Sequence, residues 1–403
     1  MTSSLTDTQA VPRRKPTAER DGEFGPGLDR AMLEWARRRP DDGFVVGVAL
    51  RLRGPKPSPQ RIADLVRDRL PLLPALAEHL DGPPGQERWS RFGSFDPAHH
   101  VHALDLGSAS SRPAVELLAN TPVWEDRPRW GLWVTDTQRE DEYLLTYRVH
   151  HAAQDGLAIT HTLGGLFDAR FPAAPATEAG GAGTWATGPP GTGDRLLAVA
   201  DVSYDAMRAI AKAEGTTLHD VYLGALAGAL RSWPAPAGRS GCAPVPVRVP
   251  FSVRLPSERQ DRGNRVGHAR VFLPVDEPDA RRRLAGVVAQ TGRWERERTR
   301  RVLDRMPARM LDEQIAGSPD PGDALACATS MRIRPALAFD GSPVTGAVAL
   351  PPLSAGHLFT SVLCVHGSRA TVAFTARQAD QHVRELPRLW EQEVARLATA
   401  TSH

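Results

Sequence analysis

Cysteine is scarce in this chain. Only three occur among the 403 residues, and they lie far apart: Cys242, Cys327 and Cys364. An odd number of scattered cysteines provides no disulfide framework and no Cys-x-x-Cys metal motif. None lies in a recognisable nucleophile motif, so we do not expect a covalent cysteine intermediate. We interpret the three as small apolar residues of a reducing compartment.

Long apolar runs and a large excess of charge of one sign are also absent. No segment approaches the roughly 18 apolar residues of a membrane span, and the first residues lack the apolar core of a signal peptide. The 50 basic and 47 acidic residues are interspersed, so the net charge of +3 indicates no nucleic-acid-binding surface. We therefore expect a cytoplasmic protein with no transmembrane segment and no nucleic-acid partner.

Composition divides the chain into two halves. Residues 1–25 are polar and of mixed charge, which predicts a disordered lead. Residues 171–193 consist mainly of Ala, Gly, Pro and Thr, the composition of a linker. Strand predictions fall on both sides of it, at 44–50, 130–134, 143–149, 245–249, 269–273, 361–365 and 371–374. The pattern therefore predicts two α/β halves, 26–170 and 194–403, each long enough to bury a core.

Two adjacent histidines stand where a predicted strand ends. Residues 150–156 read His-His-Ala-Ala-Gln-Asp-Gly, and the apolar spacing of a helix follows from Leu157. Adjacent side chains on a strand point to opposite faces, so His150 and His151 cannot easily do the same work. A metal site is a poor interpretation because no third ligand at a suitable spacing accompanies them. One histidine is therefore expected to face a cavity as a general base, while the other packs or holds the backbone.

The pattern H-H-x-x-x-D-G resembles the signature of the acyltransferase superfamily that contains chloramphenicol acetyltransferases, carnitine acyltransferases and the condensation domains of peptide synthetases. Three more segments resemble, in order and spacing, those of bacterial wax ester synthase/diacylglycerol acyltransferases: residues 95–101, 121–130 and 252–274. The resemblance covers about residues 40–375. It implies an α/β fold with mixed (α+β) sheets, in which two chloramphenicol acetyltransferase-like halves form a pseudo-dimer with an active-site tunnel between them.

The resemblance also implies roles for single residues. His151 corresponds to the general base, and His150 and Gly156 belong to the turn that supports it. Asp155 corresponds to an aspartate that pairs with an arginine, for which Arg254 is the candidate; the alternative is that both are solvated surface charges. Gly156 is expected to allow a close backbone approach or a positive φ.

Three departures from the family lie in regions expected near the acceptor. The S-P-x-D start is at most a remnant at residues 25–29, and the N-D-V segment reads His-Asp-Val at 219–221. The late S-N-V-x-G-P segment gains Arg332 and Arg334, which either meet the phosphates of coenzyme A or phosphopantetheine or are solvated. These departures favour a more polar acceptor than a long-chain alcohol or diacylglycerol, such as a specialised metabolite.

Other polar residues receive weaker assignments. Asn264 either bonds the backbone near the tunnel or holds a turn. Three histidines look like a metal cluster but match the F-D-x-x-x-H-V run of the family, which favours a structural role: His99, His100 and His102. Three more are expected to pack or to lie at the surface: His161, His268 and His357.

Three functions remain open from the sequence. The first is an acyltransferase that uses acyl-CoA and a small-molecule acceptor bearing a hydroxyl or amine. The second takes the acyl group from an acyl or peptidyl carrier protein, as condensation domains do. The third is a non-catalytic binding or scaffolding relative, which would be expected to lose the second histidine, whereas this chain keeps His151. Neither transfer reaction requires a metal or redox cofactor, because the thioester is a co-substrate.

Overall fold

The computed structural model of the protein describes residues 27–38, 44–105, 114–168, 195–234, 243–254, 258, 262–303, 324–353 and 357–401. The predicted lead (1–25) and the predicted linker (171–193) lie outside the described residues.

Strands and helices alternate along the described chain. The strands are β1 (Val45–Arg53), β2 (Glu78–Asp81), β3 (Arg88–Arg91), β4 (Val101–Leu104), β5 (Trp130–Asp136), β6 (Glu142–His150), β7 (Arg195–Ser203), β8 (Val245–Ser252), β9 (Val266–Leu273), β10 (Ala326–Arg332), β11 (Ala338–Phe339), β12 (Ser342–Leu350), β13 (Phe359–His366) and β14 (Arg369–Arg377). The α-helices are α1 (Gly27–Arg38), α2 (Pro59–Arg69), α3 (Ala114–Asn120), α4 (Gly156–Leu166), α5 (Tyr204–Ala213), α6 (Leu218–Ser232), α7 (Ala280–Leu303) and α8 (Leu386–Thr401).

The first sheet is built around the strand that precedes the histidine pair. Its order is β11-β12-β1-β6-β5-β4, and its pairs are antiparallel except for the parallel pair β4 and β5. Strand β6 is buried along nearly all of its length. Strands β11 and β12 belong to the predicted C-terminal half (194–403). The second half of the chain therefore completes the sheet of the first half.

The second sheet has the order β7-β14-β13-β10-β8-β9, with β13, β10 and β8 parallel to one another. Helices α5 to α8 pack on one face and enclose a core around Tyr222, Phe374 and Trp390. On the other face, Val362 and Cys364 share a core cluster with residues of the first sheet and α4. This second face therefore meets the first half of the molecule.

Local sequence explains where the helices near the site begin. Asp155 precedes α4, and its side chain accepts a hydrogen bond from the backbone N–H of Ala158. At α6, Thr217 and Asp220 form a reciprocal capping box. None of the described helices is long and apolar enough to cross a membrane.

Candidate active site

The histidine pair lies where β6 leaves the first sheet. The backbone N–H of His150 donates to the carbonyl of Arg129 at 2.8 Å, and that of His151 donates to the carbonyl of Phe44 at 2.6 Å. The Nδ1 atom of His150 accepts a hydrogen bond of 3.2 Å from the N–H of Ala152. Burial, and next the charge of Arg129, lower the pKa of His150 to about 3. His150 is therefore a neutral imidazole that holds the turn.

His151 is the half-buried first residue of the turn. Burial lowers its pKa, while its own carbonyl group, the charge of Asp155 and Asn264 act in the opposite direction. Within the described residues its Nδ1 atom has no hydrogen-bond partner of good geometry. The ring is therefore neutral near pH 7 and can accept a proton.

A buried ion pair stands behind the turn. The Nε atom of Arg254 donates to both carboxylate oxygens of Asp155, at 2.8 and 3.1 Å, and both side chains are almost fully buried. The same carboxylate accepts the N–H groups of Ala158 and Arg265, each at 2.9 Å. Arg254 also donates to the carbonyl of Gly263 at 2.5 Å. The predicted pair is thus present, and neither member is a solvated surface charge.

Asn264 attaches the second sheet to the turn. Its side-chain amide donates to the carbonyl of His151 at 2.7 Å and to Oδ1 of Asp29 at 2.8 Å. Its backbone N–H donates to the same Asp29 oxygen at 2.9 Å. Of the two roles predicted for Asn264, the backbone bond is present.

The predicted reason for a glycine at position 156 is wrong. Gly156 opens α4 without a positive φ, and an added Cβ atom would meet nothing within 4 Å. The constrained glycine is Gly263, with φ of +74°, where an added Cβ would lie 2.2 Å from Oδ2 of Asp29. The close approach therefore lies across the site, on the segment that leads into β9.

The two arginines predicted near the donor contact different helices. The guanidinium of Arg332 lies 5.3 Å from the ring centroid of Tyr204, at the start of α5. The side chain of Arg334 lies against Gly164 in α4. Both side chains are exposed. The structure therefore brings His150, His151, Asp155, Arg254 and Asn264 together, whereas Arg332 and Arg334 contact α5 and α4 respectively.

Asp29 belongs to the site, although the sequence did not predict it there. It belongs to the segment 25–29, in which the S-P-x-D start of the family is at most a remnant, and it is buried in α1. Besides the bonds from Asn264, it accepts a hydrogen bond of 3.3 Å from the indole of Trp89. The only available signal was this short partial match to the family start.

His100 and His102 lie among tryptophans. The Nδ1 atom of His100 is 2.9 Å from the carbonyl of Trp130, and its ring stacks on that indole at 4.4 Å. The ring of His102 lies 4.6 Å from that of Trp124. These contacts are packing contacts within the first half.

Comparison with known proteins relates this arrangement to acyltransferases. No protein-family profile matches the chain. The probable diacylglycerol O-acyltransferase tgs1 of Mycobacterium tuberculosis is 26% identical over 132 residues, which is 31% of this chain and 28% of that protein. A second protein of that organism named as a diacylglycerol O-acyltransferase is 23% identical over 145 residues, or 35% of this chain and 31% of that protein. The matches thus span about a third of the length of these relatives.

Solved structures match nearly the whole chain. The wax ester synthase/diacylglycerol acyltransferase of Marinobacter aquaeolei VT8 is 16% identical with a TM-score of 0.65, over 94% of this chain and all of that one. The first condensation domain of the CDA synthetase is 16% identical with a TM-score of 0.66, over 96% and 97% of the two chains. A starter condensation domain of rhizomide synthetase, solved with C8-CoA and Leu-SNAC, has a TM-score of 0.63 at 15% identity, over 91% of this chain and 93% of that one. The predicted fold class is therefore confirmed.

We expect Asp155→Ala to lower the free energy of unfolding by about 3–5 kcal/mol, because the buried guanidinium of Arg254 would lose the carboxylate that faces it. Denaturant unfolding measures the loss. Asp168→Ala is the control, since it removes a partly exposed pair with Arg69 at 2.8 Å and should cost about 1 kcal/mol or less. Equally small losses in both variants would show that the buried pair does not brace the turn.

The buried carboxyl group of Asp29 should make the stability of the protein depend on pH. Burial raises its pKa to about 6, although hydrogen bonds from Asn264 oppose the rise. A carboxyl with a raised folded-state pKa stabilises the protein fully below its unfolded pKa of about 4, and this contribution is lost as the pH rises through about 6. As the pH rises from about 4 to about 6, the free energy of unfolding of wild type should fall by about 3 kcal/mol relative to that of Asp29→Asn. Denaturant unfolding at several pH values measures the difference. A constant difference between the two proteins would contradict this assignment.

Proposed function

We propose that this chain, which has the fold of the condensation-domain acyltransferase superfamily, transfers an acyl group from a thioester to a hydroxyl or amine, with His151 as general base. The observation that carries the proposal is the neutral, half-buried imidazole at the end of β6, held by backbone bonds to Phe44 and Asn264. The buried pair of Asp155 and Arg254 fixes the turn that presents it. His150, Asp155, Arg254 and Asn264 act by positioning.

The chemistry follows from the state of this ring. His151 removes the proton of the acceptor hydroxyl or amine as that group attacks the thioester carbonyl. The tetrahedral intermediate then collapses, the carbon–sulfur bond breaks, and the imidazolium returns the proton to the departing thiolate. General-base catalysis of this kind contributes about 10² to 10⁴ in rate, and burial of the reactants adds positioning. The reaction as written consumes only the thioester and the acceptor.

The donor is assigned as acyl-CoA. The named activities of the relatives support acyl transfer, and the C8-CoA in the related starter condensation domain supports a CoA thioester. The likeness to condensation domains over nearly the whole chain favours a second candidate, a donor bound to an acyl or peptidyl carrier protein. The loss of the family N-D-V asparagine supports a polar acceptor, because His219 occupies its place and its Nδ1 lies 2.9 Å from the hydroxyl of Ser330.

His151→Ala should abolish acceptor-dependent release of free thiol from acyl-CoA, with a loss of about 10² to 10⁴ in rate. The measurement uses a panel of acyl-CoAs with mixed alcohol and amine acceptors. His99→Ala serves as the control because His99 is exposed and outside the site. Equal release by wild type and His151→Ala would exclude His151 as the base. No release by any of the proteins would move the proposal to carrier-bound donors.

The double variant Arg332→Ala/Arg334→Ala tests the predicted donor contacts. If these exposed arginines meet the phosphates of coenzyme A, the affinity for a non-hydrolysable acyl-CoA thioether should fall about threefold to tenfold, and the effect should shrink at high salt. Calorimetric titration gives the dissociation constants. Arg208→Ala provides an exposed control on α5. Unchanged affinity in the double variant would show that both arginines are solvated surface residues.

A further inference from the structure

The inner face of the second sheet carries an arginine and a histidine. Along β8, Val247 and Val249 point into the helical core, so Arg248 between them points to the opposite face. Along β9, Val271 and Leu273 belong to the same core, so His268 lies on the opposite face too. This is the face on which Val362 and Cys364 meet the first half of the molecule.

Strand pairing brings this face to the catalytic turn. The N–H of Gly263 donates to the carbonyl of Ala153 at 2.8 Å, and Asn264 holds the carbonyl of His151, so the start of β9 is fixed against the turn. His268 is the third residue of that strand and pairs with Pro250 of β8. Burial, next the charge of Arg248 and then His151, lower the pKa of His268 to about 3. His268 therefore lies within electrostatic reach of both.

A second histidine, His357, lies near β8. The N–H of the next residue, Leu358, donates to the carbonyl of Leu325 at 2.8 Å, and the N–H of Leu325 donates to the carbonyl of Pro246 in β8 at 2.8 Å. His357 is buried, and neither of its ring nitrogens has a hydrogen-bond partner within the described residues. Burial, and next the charge of Arg248, lower its pKa to about 4. Each imidazole is therefore neutral near pH 7 and has one N–H to donate. We call Arg248, His268 and His357 the inner cluster.

The inner cluster lacks an anion. In the part of the chain that the structure describes, Arg248 makes no hydrogen bond or ion pair, and no carboxylate contributes to the pKa of His268 or His357. Arg248 also stands directly opposite Arg270 in the pairing of β8 with β9, an unfavourable placement of like charges. Arg248 and His268 are half-buried, whereas His357 is buried with both ring nitrogens unpartnered within the described residues, which costs about 1–3 kcal/mol. Such a cost is expected where a ligand supplies the missing partner.

We propose that the inner cluster binds a carboxylate of one of the two substrates next to the reacting centre, a step that rests on the acyl transfer proposed above. A guanidinium donates two parallel hydrogen bonds to a carboxylate, and each neutral imidazole adds one more. The phosphates of coenzyme A are a poor match, because the pantetheine arm separates them from a thioester that lies at His151. The carboxylate belongs either to the acceptor, as in a hydroxy or amino acid, or to the acyl chain, as in a dicarboxylic acyl group.

Arg248→Met, which removes the charge and keeps a side chain of moderate length, is tested in two arms. The arms distinguish a carboxylate on the acceptor from a carboxylate on the acyl chain. In the acceptor arm, thiol release from butyryl-CoA is compared for 4-hydroxybenzoate and phenylalanine against their methyl esters. In the donor arm, succinyl-CoA is compared with butyryl-CoA at a fixed neutral acceptor. Wild type should favour the carboxylate in one arm by about tenfold to a hundredfold, and Arg248→Met should lose that preference. The arm that responds identifies the source.

Arg208→Met is the matched control, since it removes an exposed arginine from α5 and should keep the wild-type preference. Thermal unfolding checks the fold, and Arg248→Gln repeats the test if the methionine variant is unfolded. A wild type without a carboxylate preference in either arm, or a preference that survives the loss of Arg248, overturns the proposal.

Binding without turnover distinguishes this inference from failure of the proposed function. Calorimetry measures the affinities of the same acids and esters, and of thioether analogues of succinyl-CoA and butyryl-CoA. If no thiol is released but wild type binds a carboxylate probe at least about tenfold tighter than its neutral partner, and Arg248→Met does not, the anion site stands and acyl transfer fails. Equal binding of charged and neutral probes overturns the anion site whatever the activity.

Discussion

The contact between Asp155 and Arg254 is the constraint on which the site depends. Asp155 follows the first sheet and Arg254 follows β8 of the second, so the pair connects the two sheets behind the turn that carries His151. One carboxylate also begins α4 and holds the backbone ahead of β9. Removing two charges from water costs several kcal/mol each, and their attraction returns this only with good geometry and further hydrogen bonds. The pair therefore contributes chiefly by fixing geometry.

A second tie between the halves is a strand exchange. Strand β12 pairs with β1 along six positions, so the first sheet continues beyond β1 only with residues from the second half of the chain. Without β12, one edge of β1 would be open to solvent. The residues of β1 are mostly apolar, and an open edge of that kind is prone to aggregation. The candidate site is divided in the same way, since the first half supplies His151 and the second supplies Arg254 and Asn264. Neither half holds a complete site.

Local pattern predicted the elements that carry strong signals. Strand β6 carries apolar residues at alternate positions, the motif at 150–156 marked the turn and the start of α4, and the family resemblance supplied Arg254 as the partner of Asp155. Strand β12 was missed because Pro343, Gly346 and several alanines and valines give it no strand alternation, and its partner β1 is about 300 residues away. The roles of Arg248 and His268 depend on which face of the second sheet packs against the first half. The role of His357 depends on which residues pack around its loop. These packing contacts are formed between distant segments, so the sequence of one strand or loop does not reveal them.

The positive charge of Arg248 relates the inner cluster to the acyl transfer that we propose. His150, His151, His268 and His357 are neutral because burial disfavours their protonated forms, so Arg248 is the unpaired positive charge among the groups described around the turn. A substrate carboxylate would neutralise the half-buried Arg248 before the reaction begins, and covering either charge alone would be costly. In the proposed reaction, the negative charge that develops on the thioester oxygen during attack would be balanced by the proton that His151 accepts. An uncharged substrate would leave Arg248 uncompensated throughout, which is why the arrangement favours a substrate that carries a carboxylate.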